Sequence, residues 1–155
     1  MSEAQVRKAI WDVVRNVKNA GRVYDYQRWA TTWDAYLGLF KSDVGGQDEI
    51  RGWTITSESE ERTGFIASGT RAGHDTINHL FVIRGFMGLD DSRETEKTAR
   101  ALTEAVMNAL GTDTTIVSSG AVYNLGLAQL DVFEPRMFGS TLCHYSEIRL
   151  AVQEK

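Results

Sequence analysis

The chain has 155 residues, which is long enough for one domain to bury a core without disulfides or metals. Hydrophobic residues make up 42% and charged residues 25% of the sequence, and this composition excludes disordered, collagen-like and coiled-coil proteins. The net charge of −4 gives no electrostatic support for sequence-independent nucleic-acid binding. We therefore expect a single domain over residues 1–155.

The cysteine content and the N-terminal segment indicate the compartment in which the chain folds. Cys143 is the single cysteine, so the sequence can form neither an intrachain disulfide nor a zinc site with several thiolates. Residues 1–20 contain no uninterrupted apolar run, and we expect neither a signal peptide nor a membrane span. These features predict a protein that folds in a cytoplasm and has no membrane partner.

The N-terminal part, residues 2–40, predicts two helices. The first spans Ser2 to Ala20 and carries apolar residues at helical spacing on one side and charged residues on the other. The second spans Trp29 to Phe40. Its aromatic residues recur at helical spacing and favour a bulky stripe in the core: Trp29, Trp33, Tyr36 and Phe40.

The middle of the chain predicts strands separated by a long connection. Asp43 to Asp48 contains two glycines and is typical of a turn, and Ile50 to Ser57 has the composition of a strand. Glu58 to Asp75 is polar, and we expect most of it to be an exposed connection. Thr76 to Leu89 has apolar residues at both odd and even positions, which predicts a strand in the centre of the sheet.

The C-terminal part predicts one more helix and three strands. Asp91 to Glu94 has the spacing of a capping box, and the helical stripe that follows ends before Gly111. The predicted strands are Thr115 to Ser118, Val122 to Phe133 and Thr141 to Val152, with a turn over Pro135 to Gly139. Residues 48–153 thus form a sheet with an inserted helix. The predicted fold class is α+β: a mostly antiparallel sheet of about four to five strands, with two N-terminal helices and one further helix packed on it.

Residues that could perform catalysis or bind metal are few. His74 and His79 are five positions apart in a loop that runs into a strand, so their side chains should diverge, which disfavours a shared metal site. Cys143 and His144 are neighbours in a predicted strand and should also face apart. Neither a nucleophile elbow nor a phosphate-binding glycine loop occurs. We therefore expect no catalytic, cofactor-binding or metal-binding residues, and a protein that is not an enzyme.

Charged residues in the strands and in the long connection are the better candidates, for contacts between proteins. Arg84 lies within the central strand, where a guanidinium needs a carboxylate partner or an interface. Glu147 and Arg149 alternate with apolar residues in the last strand and suit contacts between copies of the chain. The residues predicted to contact another copy or a neighbouring protein are Glu58, Glu60, Glu61, Arg62, Arg71, His74, Arg84, Glu147 and Arg149.

An ordered set of segments resembles a known family. The N-terminal helix is followed by Gly21 to Trp29 (GRVYDYQRW), by Ile50 to Ile55 (IRGWTI), and by His79 to Met87 (HLFVIRGFM) before a helix that ends in Val106 to Leu110. This arrangement resembles the tail terminator and tail-completion proteins of long-tailed bacteriophages and of related prophage or gene-transfer particles. The resemblance spans most of the chain and rests on length, element order and aromatic segments.

The resemblance implies a structural virion protein with no enzymatic activity. Such a protein forms a ring, typically of six copies, that caps the tail tube, stops its polymerisation and docks to the head or neck. The implied partners are other copies of the chain, the tail-tube protein and a head-completion or neck protein. Glu58 to Asp75 would then lie at a ring contact. The implied location is the tail or neck of the virion, assembled in the cytoplasm of the bacterial host.

DNA would pass through the lumen of such a ring without specific binding. Six copies would carry a net charge of about −24, and a negative channel avoids trapping a polyanion that has to slide through it.

Two alternatives stay open at this stage. A head-tail connector or a tail-tube protein would share ring symmetry but occupy another level of the particle. A small ligand-binding or enzymatic α+β domain would instead use an aromatic pocket formed by Trp29, Trp33, Tyr36 and Trp53.

Overall fold

The computed structural model of the chain describes residues 3–64, 76–112, 115–118, 121–125 and 128–154. Three α-helices and a 3₁₀ turn occur in these ranges: α1 (Glu3–Arg15), α2 (Trp33–Gly38), the 3₁₀ turn (Asp91–Arg93) and α3 (Thr95–Thr112). The strands are β1 (Arg22–Tyr24), β2 (Lys41–Val44), β3 (Gln47–Thr63), β4 (Thr76–Gly88), β5 (Thr115–Ser118), β6 (Ala121–Leu125), β7 (Gln129–Phe138) and β8 (Thr141–Glu154).

The strands form one sheet in the order β1-β3-β4-β8-β6-β5, and β2 and β7 add to β3 and β8 respectively. All pairs are antiparallel except β1 with β3. The predicted α+β class with a mostly antiparallel sheet is confirmed. Within the described ranges the sheet has eight strands, more than the predicted four to five. Two of the additional strands are β1 and β2, which were not predicted. The third arises because the predicted strand from Val122 to Phe133 is divided into β6 and β7.

One face of the sheet packs against α1 and α3 and forms an aliphatic core. Odd positions of β4 and even positions of β8 meet on this face because side chains alternate along a strand. The fully buried members include Ile10 of α1, Ile83 of β4, Val106 of α3 and Ile148 of β8. The predicted first and third helices are confirmed, although α1 ends at Arg15 and not at the predicted Ala20, and their apolar stripes form this core. Among the described residues, no helix has the length and apolar character to cross a lipid bilayer.

The opposite face of the sheet carries α2 and a cluster of aromatic side chains. The rings of Tyr36, Phe40, Phe86, Phe138 and Tyr145 contact one another with centroid distances of 4.6 to 6.4 Å. Because α2 has only six residues, it covers part of this face and leaves the rest open.

The first part of the predicted connection from Glu58 to Asp75 is a strand, so the prediction is wrong there. β3 continues to Thr63, and the Glu60 to Thr63 segment pairs with β4 in register from His79 to Thr76. The register shifts between Ser57 and Ser59, which marks a β-bulge at Glu58. Backbone pairing with the central strand overrides the low strand propensity of this glutamate-rich segment. Residues 65–75 lie outside the described residues.

The predicted second helix begins four residues later than expected. Thr32 has an extended backbone, and its Oγ1 accepts a hydrogen bond from the Ala35 N–H, so the helix starts at Trp33. The predicted core stripe holds for Tyr36 and Phe40, which are buried. It is wrong for Trp29 and Trp33, which are 79% and 53% exposed. Trp29 precedes the cap and therefore is not on the helix face that meets the sheet.

Two local predictions in the second half also differ from the structure. Asp90 is the N-cap of the 3₁₀ turn, and its carboxylate accepts a hydrogen bond from the Ser92 N–H. Glu94 then adopts a left-handed backbone conformation before α3 begins. The predicted capping box from Asp91 to Glu94 is thus replaced by a 3₁₀ turn. The predicted turn at Pro135 is wrong because β7 continues to Phe138 and the chain reverses at Gly139.

Candidate functional site

A cleft of about 500 Å³ opens on the sheet face that α2 only partly covers. It lies between α2, the loop of residues 25–32 that precedes α2, and strands β4, β7 and β8. Half of its lining residues are aromatic, and the others include two arginines, two threonines and one glutamine. The lining includes Gln27, Trp29, Trp33, Tyr36, Arg84, Phe86, Arg136, Phe138 and Tyr145.

Strand alternation brings the cleft residues of the sheet to one face. Arg84 and Phe86 are two apart on β4, and Phe86 is the register partner of Tyr145 on β8. Arg136 and Phe138 are two apart on β7, which pairs with the other edge of β8. Since side chains two apart on a strand share a face, these positions all point away from α1 and α3.

α2 and the β7–β8 turn form the aromatic wall. The Trp33 ring packs edge-on against Tyr36 at 5.8 Å and against Phe138 at 5.6 Å between centroids. Gly139 permits this approach, because a Cβ at that position would lie 2.8 Å from Trp33 Cβ. Trp29 contributes a largely exposed ring to the rim of the cleft.

Arg84 places a half-buried guanidinium in the cleft. Among the described residues it makes one hydrogen bond, from Nη1 to Thr56 Oγ1 at 2.8 Å, and no ion pair. Glu147 is its register partner on β8, but the Glu147 carboxylate accepts from Tyr145 Oη at 2.8 Å and lies 3.7 Å from Arg149. The carboxylate partner predicted as one alternative is therefore not found in the described chain, and Arg84 instead reaches the cleft.

Arg136 is held more firmly than Arg84. Its guanidinium lies 3.9 Å from the centroid of the Tyr145 ring and donates to the Glu134 carboxylate. The hydrogen bond to Glu134 raises the pKa of Arg136, with burial acting in the opposite direction. Arg136 is therefore a fixed, paired cation in the wall of the cleft.

The two tyrosines of the cleft stay protonated at neutral pH. Burial, together with the hydrogen bond to Glu147 and its negative charge, raises the pKa of Tyr145 to about 12. Burial also raises the pKa of Tyr36, and the nearby charge of Arg84 partly offsets that rise. The positive charge of Arg84 also partly offsets the rise in the pKa of Tyr145.

Beside the cleft, Arg149 joins three strands through ion pairs. It pairs with Glu58 on β3, with Asp131 on β7 and with Glu147 on its own strand. Glu58 and Asp131 both lie where the strand register shifts, so two β-bulges aim their carboxylates at Arg149. Three predicted contact residues, Glu58, Glu147 and Arg149, are brought together here, and they pair within the chain.

The other predicted contact residues are spread over the end of the β3–β4 hairpin. Glu60 pairs with Arg62 and lies 3.6 Å from His79 Nδ1, on the side of the sheet that faces α1 and α3. Glu61 is exposed. Arg71 and His74 lie outside the described residues. The structure thus separates this acidic segment from Arg84, which lies in the cleft.

The pair Cys143 and His144 diverges as predicted. Cys143 is buried in the aromatic cluster, and burial raises the pKa of its thiol to about 11. His144 lies on the opposite face, where its Nε2 is 2.8 Å from Thr95 Oγ1. In the described part of the chain, no group of three or more histidine, cysteine or acidic residues could hold a metal ion.

No model of a known protein family matches the chain, and no curated protein is significantly similar to it.

The sequence predicted part of this site and missed the rest. Trp29, Trp33 and Tyr36 were expected in an aromatic pocket and do line the cleft. Trp53 was expected with them, but it is buried on the other face, where its Nε1 donates to the Ala20 carbonyl. Arg136 was missed because a turn was predicted at Pro135. The alternation of Glu134, Arg136 and Phe138 was the available signal for a strand there.

Proposed function

We propose that the protein is a structural virion protein that forms a ring on the end of a phage tail tube. The ring stops polymerisation of the tube and docks to the head or neck, and DNA passes through its lumen without specific binding. The order of sequence segments that resembles tail terminators supports this proposal. The observation that carries it is a long acidic edge of the sheet that has no strand partner among the residues the structure describes.

This edge belongs to β3. On its outer side β3 pairs with β1 only from Gly52 to Thr54, and with β2 only from Gln47 to Ile50. Among the described residues, the stretch from Ile55 to Thr63 has no strand partner on that side. Such an edge presents backbone N–H and C=O groups to which another chain can pair.

The charge of the edge determines which kind of contact it favours. Glu58, Glu60 and Glu61 outnumber Arg62 along it, so the edge carries a net negative charge, although Glu58 and Glu60 also pair with arginines of the same chain. Two copies of this edge would meet with like net charge, which favours a contact with a different, less acidic surface. At the other side of the sheet, and within the part of the chain that the structure describes, β5 pairs only with β6 and β7 only with β8, so different outer strands are present there. A contact between unlike surfaces runs head to tail and closes into a ring when its rotation allows.

The first test is the native mass of the protein by light scattering over a wide concentration range, followed by electron microscopy of large species. A closed ring is the expected result. Long tubes would replace this proposal with a tail-tube protein. A protein that stays monomeric at every concentration and also fails to bind the ends of purified tail tubes would overturn the proposal.

A charge reversal tests the edge directly. Glu61→Lys places a cation on the exposed edge and should reduce ring formation at least about tenfold if the partner surface is basic or polar. Glu104→Lys is the matched control, because Glu104 is an exposed carboxylate on α3, away from the edge. Equal assembly of the two variants would place the ring contact elsewhere.

A further inference from the structure

We propose that the cleft between α2 and strands β4, β7 and β8 is a binding site for a small planar organic anion, an aromatic ring that carries a carboxylate. The proposal is independent of ring formation. It rests on three features of the cleft: its size and lining, the free donors of Arg84, and the fixed position of the surrounding groups.

The size and lining fit a small molecule with a flat apolar body. A volume of about 500 Å³ lies within the usual range of roughly 300–1,000 Å³ for ligand pockets. Trp33, Tyr36, Phe86 and Phe138 present ring faces and edges to the cleft, and aromatic pairs favour offset or edge-to-face contacts with a further ring. Trp29, at the rim, is exposed enough to cover a ligand ring.

Arg84 supplies the group that recognises the acid. Its Nη1 is committed to Thr56, and within the described chain its Nε and Nη2 have no hydrogen-bond partner. A guanidinium with free N–H groups in a partly desolvated site binds a carboxylate through two parallel hydrogen bonds. The bond to Thr56 fixes the side chain, so little rotamer freedom remains to be lost on binding.

The neighbouring carboxylates do not occupy this position. Glu147 is held by Tyr145 and Arg149, and Glu134 is held by Arg136. The Arg136 guanidinium lies 3.9 Å from the centroid of the Tyr145 ring and forms a wall of the cleft. The hydroxyls of Tyr36 and Tyr145 remain protonated at neutral pH, as described above, and therefore add no negative charge to the cleft.

The test compares two probes of the same shape that differ in charge. Indole-3-acetate and its neutral amide, indole-3-acetamide, are titrated into the protein, and binding is measured by calorimetry and by quenching of tryptophan fluorescence. The acetate should bind at least about tenfold more tightly than the amide, the factor expected for a charge-assisted hydrogen-bond pair. Arg84→Gln should remove this difference, and Trp29→Ala should weaken both probes. Arg93→Gln, which changes an arginine outside the cleft, should leave both affinities unchanged.

Three results would overturn the proposal. Equal binding of acetate and amide would show that the cleft does not select an anion. Unchanged selectivity in Arg84→Gln would place the site elsewhere. Absence of binding to either probe, together with loss of ring formation in Trp29→Ala, would show that the cleft is a contact between copies of the chain. In that last case the proposed ring would stand while the ligand site would fail.

Discussion

The two faces of the sheet are built on different principles. The face under α1 and α3 is closed by aliphatic side chains from both helices and three strands, and residues such as Ile10, Ile83 and Ile148 are fully buried. The opposite face has the short helix α2, a cluster of rings and several arginines, and it remains open at the cleft. The first face is therefore closed throughout, whereas the second combines a buried cluster of rings with aromatic and cationic groups available to a ligand or partner.

The largest expected effect comes from the closed face. Ile83→Ala removes a fully buried side chain between the sheet and the helices and should lower the free energy of unfolding by about 3 kcal/mol. Trp29→Ala on the open face should change it by less than about 0.5 kcal/mol, since that ring is mostly in solvent. Urea unfolding of both variants measures the contrast. Similar losses would mean that the open face is as important for stability as the closed one.

The next largest changes in stability are expected from alanine substitutions at two glycines. A Cβ on Gly85 would lie 2.5 Å from the Trp53 ring and from Ser146 Oγ, so Gly85→Ala should destabilise the protein by about 2 kcal/mol. Gly38→Ala in α2 meets nothing within 4 Å and should stabilise it by about 0.5 kcal/mol. Thermal unfolding should therefore move in opposite directions for the two variants. A stabilising Gly85→Ala would contradict the close packing on the closed face.

The smallest effect depends on pH. Burial lowers the pKa of His144 below 6.5, with a partial offset from Glu96, so the folded protein holds this imidazole neutral. The unfolded chain takes up the proton first, and this contribution to stability is present above about pH 6.5 and is lost as the pH falls. His144→Gln should keep a polar partner for Thr95 and flatten the decline in unfolding free energy between about pH 7.5 and about pH 5. Parallel declines in the two proteins would assign the effect to other groups.

The periodic segments were predictable from the sequence because their pattern is local. The stripe of α1, the stripe of α3 and the two apolar sides of β4 each follow from spacing within one segment. The α+β class followed from their order. The boundaries were less predictable where a polar segment pairs with a strong neighbour. β3 extends through Glu60 and Glu61 because the central strand β4 supplies partners for its backbone.

The candidate site was predictable only in part, for a related reason. The aromatic residues of α2 and its preceding loop were visible as a cluster, but nothing in residue type or spacing separates Trp53 from them. The two groups lie on opposite faces of the sheet. Arg84 was recognised as unusual, but the sequence does not show whether it pairs with a carboxylate or lines a cleft. The outcome depends on the position of the Glu147 carboxylate, which is held by Tyr145 and Arg149.

Residue type and spacing within single segments specify the helices that close one face, the central position of β4 and the lack of an intrachain disulfide. The folded arrangement of the chain is needed to show that Arg84, Arg136 and the rings of α2 share one cleft, and that Glu58 and Asp131 meet at Arg149. These groups come from segments far apart in the chain, and strand register and two β-bulges set their positions.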